Sequence, residues 1–254
     1  MKKFLNGLGL TMAMMLSSTA YASAPKKVLI VLTSHDKLGD TNNKTGFWLP
    51  ELTHPYYELV DKGVHVEVVS IRGGIAPIDE KSLKEKDKSI DRFLSDAKLM
   101  SKVLTSRPLS SVDPLSYDAI IFSGGSGAMW DFPNDASVNK VAISIFERGG
   151  VVAAICHGPA ALVDMKLSNG KYLVAGKKIS AFTNEEEELL GQTKILPFLL
   201  QNKLSERGAK HIAAVAWQEN VVVDGRLVTG QNPNSAKKVA QEVLSILRKN
   251  TIID

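Results

Sequence analysis

A chain of 254 residues that is 44% hydrophobic has enough apolar material for a sizeable core. Its 31 basic residues face 27 acidic ones, a formal net charge of +4, and the two signs are interspersed, which argues against a nucleic-acid or membrane-binding surface. One cysteine, Cys156, excludes an intramolecular disulfide.

The chain opens on Lys2 and Lys3, continues with an apolar stretch at 8–16, and closes that segment with Ala20-Tyr21-Ala22 and Ala22-Ser23-Ala24. Positive, apolar, then small is the order of a secretory signal peptide, and the apolar part is shorter than the roughly 20 residues a membrane span needs. Residues 1–22 are therefore expected to be a signal peptide. The protein is expected to be exported, periplasmic or secreted, with no membrane attachment after cleavage, and 25–254 to form a single α/β domain.

Residues 26–34 read as a buried first strand, a β-branched run ending in polar residues. Residues 47–62 place apolar and aromatic side chains at helical spacing, with Pro50 near the start and a kink expected at Pro55. A second strand follows at 64–71, then an amphipathic helix over 89–104 with Ser89 as N-cap and Asp91 in its first turn. A third strand at 117–122 runs into the glycine-rich loop 123–127. The helix over 138–148 stops at Gly149-Gly150, the apolar strand 151–155 enters Cys156, and another helix begins at Gly158. A strand pair within 172–181, an acidic helix from Asn184 and a helix over 197–207 come next. Strands at 212–216, 221–223 and 227–229 and a closing helix over 235–248 complete the chain. This alternation implies a mainly parallel sheet with helices on both faces.

The strongest local signal is Ala153-Ala154-Ile155-Cys156-His157-Gly158-Pro159. A buried strand running into a nucleophile and straight out into a helix is an elbow so tight that only small residues fit two before and two after it, and Ala154 and Gly158 meet that demand. A helix N-terminus beside the thiol would favour thiolate, so the pKa of Cys156 is expected below the free-thiol value of about 8.5. A lone cysteine can equally be an inert buried thiol. Attack on a carbonyl needs convergent N–H donors for the oxyanion, and His157 and Gly125 are the candidates. The loop Gly124-Gly125-Ser126-Gly127 lacks the Lys-Ser/Thr ending of a phosphate-binding P-loop. His35, His54 and His65 lack metal-ligand spacing and read as structural or surface residues; no metal is expected.

The stretches GGSGAMWD, VVAAICHGPAAL, KISAFTNEEE and DGRLVTGQNP together resemble the ThiJ/PfpI superfamily, within the class I glutamine amidotransferase-like fold. TSHD, around Ser34, and TGFWLPELTHPYYEL, from Thr45, resemble its glyoxalase III and heat-shock-chaperone branch, and the likeness runs over about 27–247. It implies a flavodoxin-like three-layer sandwich. It implies catalytic roles for Cys156, His157, Glu51 and Glu187, with Glu186 the alternative register for the acid that pairs with His157. It further implies an oxyanion and substrate site at Gly125, Ser126 and His157. Ser126 stands where close relatives often carry histidine, which puts substrate preference in question. The activity implied is a glutathione-independent glyoxalase III, a lyase of D-lactate dehydratase type. It would turn a small 2-oxoaldehyde, methylglyoxal, into lactate through a cysteine hemithioacetal, without cofactor and with deglycase activity as a further option. Homodimers are common among such relatives. The competing readings are a cysteine hydrolase (peptidase or amidase) and a non-enzymatic holdase chaperone or redox-sensing protein.

Overall fold

The structure is a computed structural model that describes residues 25–133 and 135–250; the segment read as a signal peptide lies outside them. In chain order the elements are β1 (Lys27–Leu32), α1 (Leu49–Val60), β2 (His65–Ser70), α2 (Lys88–Ser95), α3 (Ala97–Leu104), β3 (Arg107–Pro108), β4 (Ala119–Phe122), α4 (Ala128–Asp131), α5 (Ala136–Glu147), β5 (Val151–Ile155), β6 (Lys178–Ile179), α6 (Asn184–Leu189), α7 (Leu200–Glu206), β7 (Lys210–His211), β8 (Val221–Asp224), β9 (Leu227–Gly230) and α8 (Ala236–Asn250). Among the described residues one sheet has the order β3-β2-β1-β4-β5-β9-β8, and β6 and β7 pair separately. Every pairing in the large sheet is parallel except β8 with β9.

The apolar run of β1 is continuous because both its faces are covered. Leu29 and Val31 point into a core shared with Val138, Val141 and Ile145 of α5. Val28, Ile30 and Leu32 point into a second core with Leu52 and Leu59 of α1 and Val239 and Val243 of α8. The result is the three-layer, mainly parallel α/β sandwich expected from the sequence. Register places Val31 beside Phe122, and Phe122 beside Ala154. The loops leaving β1, β4 and β5 therefore emerge together. Strand order reverses between β1 and β4, where open α/β sheets form a crevice at their carboxyl ends.

Several expected elements are corrected. The helix over 89–104 is two helices, because Asp96 leaves helical geometry (φ −98, ψ 83) and its carboxylate accepts from Leu99 N to cap α3. The N-cap of α2 is Asp87, which accepts from Ser89 N, rather than Ser89 itself. Both breaks follow from short acidic side chains satisfying free N–H groups better than a continued helix does. Pro55 lies inside α1 without dividing it. No strand forms at 212–216, where Ala214 N donates instead to the Gln231 side chain at 2.8 Å. The pair expected within 172–181 reduces to β6, which pairs in parallel with β7. Among the described residues no helix is long and apolar enough to cross a membrane.

Candidate active site

Cys156 follows β5 at φ 59, in the left-handed region, which costs an L-residue roughly 1–2 kcal/mol. The conformation is held from both sides. Cys156 N donates to Gly230 O at 2.9 Å, and Cys156 O accepts from Phe182 N at 2.9 Å. Two residues on, a Cβ at Gly158 would stand 2.2 Å from the carbonyl oxygen of Phe122, so nothing larger than glycine fits. Gly158→Ala must push β4 and β5 apart. A loss of about 1–3 kcal/mol is expected, the usual cost of overpacking a core, read as a lower urea midpoint; an unchanged midpoint would contradict the tight elbow.

The helix expected from Gly158 forms as five residues of 3-10 helix, Gly158–Leu162, which is too short for its dipole to carry the argument for a thiolate. The expected low thiol pKa is corrected accordingly. Burial pushes the Cys156 thiol well above its ordinary value, and the nearby Glu51 carboxyl adds to the rise. The Gly125 N–H, directed at the sulfur, pulls the other way.

His157 is buried beside the thiol, with Nδ1 3.3 Å from Sγ and Nε2 2.7 Å from Glu187 Oε1. A carboxylate accepting from Nε2–H leaves the Nδ1 lone pair facing the sulfur. Of the four consecutive glutamates, Glu185 and Glu188 face solvent, while Glu186 and Glu187 turn inward. Glu186 does not meet the histidine. Its Oε2 accepts from Thr183 N and Oγ1 at 3.0 Å in a capping box, and its Oε1 accepts from Trp217 N, Gln231 Nε2 and Asn232 Nδ2.

Glu51, in the first turn of α1, is fully buried. Its Oε2 accepts from Gly124 N at 2.9 Å; Oε1 has no well-aligned partner, and the neighbouring group that interacts with the carboxyl is the Cys156 thiol. Burial raises its pKa from 4.5 to about 8. Between those values the native state holds a proton that the unfolded chain has released, so stability falls as pH rises from about 4.5 to about 8. Glu51→Gln keeps the shape without the charge. Its melting temperature is expected to exceed the parent's at pH 8, with the gap closing by pH 5; a gain equal at both pH values would refute a strained carboxylate.

The glycine-rich loop closes over this pair. Gly125 sits at φ 103, and a Cβ there would come within 2.4 Å of Gly46 O. The Ser126 hydroxyl donates to Gln192 Oε1 at 2.9 Å, and both residues are buried in the pocket wall. Asp131, at the end of α4, accepts from Thr33 Oγ1 at 2.8 Å and Ser34 N at 2.7 Å, tying the loop after β1 to the GGSGAMWD stretch. Burial raises the Asp131 carboxyl to about 6. The histidines read as structural lie elsewhere: His35 stacks on Trp130, His54 pairs with Asp87, and His65 is exposed at the start of β2.

Cys156, His157, Glu51, Gly125 and Ser126 all line one cavity of about 340 Å³, with Glu187 directly behind the histidine. Its remaining walls include Trp48, Phe182, Leu190, Gln192 and Trp217, none of which sequence reasoning singled out. Phe182 packs on the imidazole of His157 with ring centroids 4.3 Å apart. The only signal for this wall was the aromatic residue directly before Thr183-Asn184 and another, Trp217, closing the apolar run 212–216.

A buried cysteine becomes distinctive when backbone strain, a glycine cradle, an imidazole and a second carboxyl all converge on one sulfur. Here they do so where the strands end, which defines the class of α/β proteins with a cysteine elbow at the carboxyl edge of a parallel sheet. The chain belongs to the DJ-1/PfpI family, which it matches over residues 44–246. Glyoxalase 3 of Candida albicans is 34% identical over 236 residues, covering 88% of this chain and 99% of its own. Glutathione-independent glyoxalase HSP31 of Saccharomyces cerevisiae is 34% identical over 246 residues, covering 89% and 99%. The X-ray structure of Rapid Encystment Protein 24 kDa from Francisella tularensis superposes with a TM-score of 0.85 at 45% identity, covering 87% of this chain and 99% of that one. The exported location expected from the N-terminal segment is corrected by these relatives: the glyoxalases of Candida albicans and Saccharomyces cerevisiae, each matched over 99% of its own length, lend export no support.

Proposed function

We propose that this protein is a glutathione-independent glyoxalase of the glyoxalase III type, converting methylglyoxal and water to lactate. The observation that carries the reading is the pair of acid–base groups on one thiol: His157 Nδ1 at 3.3 Å, and the buried Glu51 carboxyl. A hydrolase needs only the histidine; an internal redox shift needs a second group able to move a proton between adjacent carbons. The names of the fungal relatives support the same activity.

In this reading the Cys156 sulfur adds to the aldehyde carbon. The thiol proton passes to Nδ1 of His157, and Glu51, protonated at neutral pH, gives its proton to the aldehyde oxygen. The product is a hemithioacetal, with the Gly125 and His157 N–H groups holding the developing oxyanion. Glu51, now a carboxylate, removes the proton from the former aldehyde carbon. The resulting enediol is reprotonated at the neighbouring carbon to give a thioester of lactate. Water, activated by His157 with Glu187 behind it, hydrolyses the thioester and frees the thiol. One carbon is oxidised and its neighbour reduced, so the reaction requires no electron carrier.

The reading is tested by incubating the purified protein with methylglyoxal, without glutathione, in deuterated water. Lactate carrying deuterium at C2 is the expected product; lactate with no solvent deuterium would point to a direct hydride shift, and absence of lactate would remove the activity. The assembly expected of such a protein is a homodimer, which light scattering on the purified chain tests.

A further inference from the structure

Trp217 is held at φ 65, an unusual conformation for a bulky side chain. Its N–H donates to Glu186 Oε1 at 2.9 Å, and its carbonyl accepts from Asn234 Nδ2. A surface turn needing this geometry is served by glycine or asparagine at no such cost. Strain that persists because its surroundings over-determine it points to a use at the site. What the strain secures here is the indole. It lies edge-on to Phe182 at 5.6 Å and, 39% exposed, forms the outer wall of the cavity above the thiol.

The cavity is also larger than methylglyoxal requires. A three-carbon 2-oxoaldehyde has five non-hydrogen atoms, and at the ~30 Å³ that a water molecule occupies these fill less than half of about 340 Å³. The surplus is bounded by the apolar side chains of Trp48, Phe182, Leu190, Trp217 and Pro233 and by the charged residues Asp79, Lys81 and Glu85. Flat apolar walls of this kind favour a ring stacked or set edge-on against them.

We infer that the preferred substrates are 2-oxoaldehydes bearing a flat apolar substituent, with the ring lodged against Trp217 and Phe182 and the dicarbonyl end at Cys156. The inference rests on the glyoxalase reading above. For the simplest case, phenylglyoxal and water give mandelate: the aldehyde carbon becomes the carboxylate, the ketone carbon becomes the carbinol, and no outside oxidant or reductant takes part. Trp217 is then a specificity-determining residue.

The test compares kcat/KM for phenylglyoxal and methylglyoxal in the parent, Trp217→Gly and Trp217→Phe. Glycine adopts φ 65 without strain and keeps both backbone hydrogen bonds, so a melting curve distinguishes lost recognition from lost folding. The parent is expected to favour phenylglyoxal by at least roughly 10-fold, Trp217→Gly to lower that ratio by a similar factor, and Trp217→Phe to retain most of it. Turnover of methylglyoxal with no preference for the aryl substrate, or a ratio unmoved in Trp217→Gly, overturns the inference alone. Turnover of neither substrate by the folded parent overturns the glyoxalase reading and the inference with it.

Discussion

Cys156→Ala is expected to abolish lactate formation from methylglyoxal. Every step of the proposed sequence is carried out on a substrate bonded to sulfur, and alanine leaves no atom to form that bond. Removing a covalent nucleophile commonly costs on the order of 10⁶ in kcat, so the residual rate should equal the uncatalysed background. The thiol lies within the β5 core at 3% exposure and makes few polar contacts, so the variant should fold and melt close to the parent. Lactate formation by a correctly folded Cys156→Ala at more than a thousandth of the parental rate would show that the sulfur is not the nucleophile.

Glu51→Gln should produce the second largest effect, and a different phenotype. Glutamine retains an acceptor for the Gly124 N–H, which Glu51 Oε2 now receives at 2.9 Å, but it cannot take up a proton. Acid–base help of this kind is worth about 10² to 10⁴ in rate, and kcat should fall by that much. Sulfur addition does not depend on removing a carbon-bound proton, and the proton that Glu51 gives to the aldehyde oxygen can come instead from His157, which has taken it from the thiol. The variant should therefore still bind methylglyoxal as a hemithioacetal, visible as a reversible mass increase on the protein, while lactate fails to appear. Because the same substitution relieves a buried carboxyl raised to about 8, the variant should be more stable at alkaline pH while less active. A Glu51→Gln enzyme that makes lactate at near the parental rate would leave the proton shuttle without support. So would a loss no greater than that of His157→Ala in a protein that hydrolyses esters or amides, since that pattern belongs to a cysteine hydrolase.

The parts of the fold that were legible in the sequence are those where one physical effect dominates. A strand covered on both faces must be apolar throughout, so β1, β4 and β5 announce themselves, and the requirement for small residues around a tight elbow marks Cys156. Glu51 was reachable only through resemblance, because a carboxyl beside aromatic residues on a helix gives no sign of whether it faces in or out. Local competition was harder to read. Asp96 breaks a helix that hydrophobic spacing alone would continue, since spacing does not reveal that its carboxylate will accept from Leu99 N. The direction of the Cys156 shift was misread for a related reason: it depends on how deeply the thiol is buried and on the length of the following helix, neither of which is written in the motif. Trp217 and Gln192 reach the pocket from segments without periodicity, and only tertiary contacts bring them there.

The position of β9 between β5 and β8 sets an order of assembly. The carbonyl that fixes the elbow, Gly230 O, and the side chains of Gln231 and Asn232 that anchor Glu186 all belong to the last quarter of the chain. During synthesis the cysteine and its histidine exist long before the strand that bends them into place, and contacts so distant in sequence form slowly. A nascent or truncated chain ending before β9 therefore presents Cys156 on an unfinished sheet edge, without the backbone restraint that shapes the elbow. Catalytic geometry here is a late product of folding, reached only when the carboxyl-terminal strand inserts beside β5.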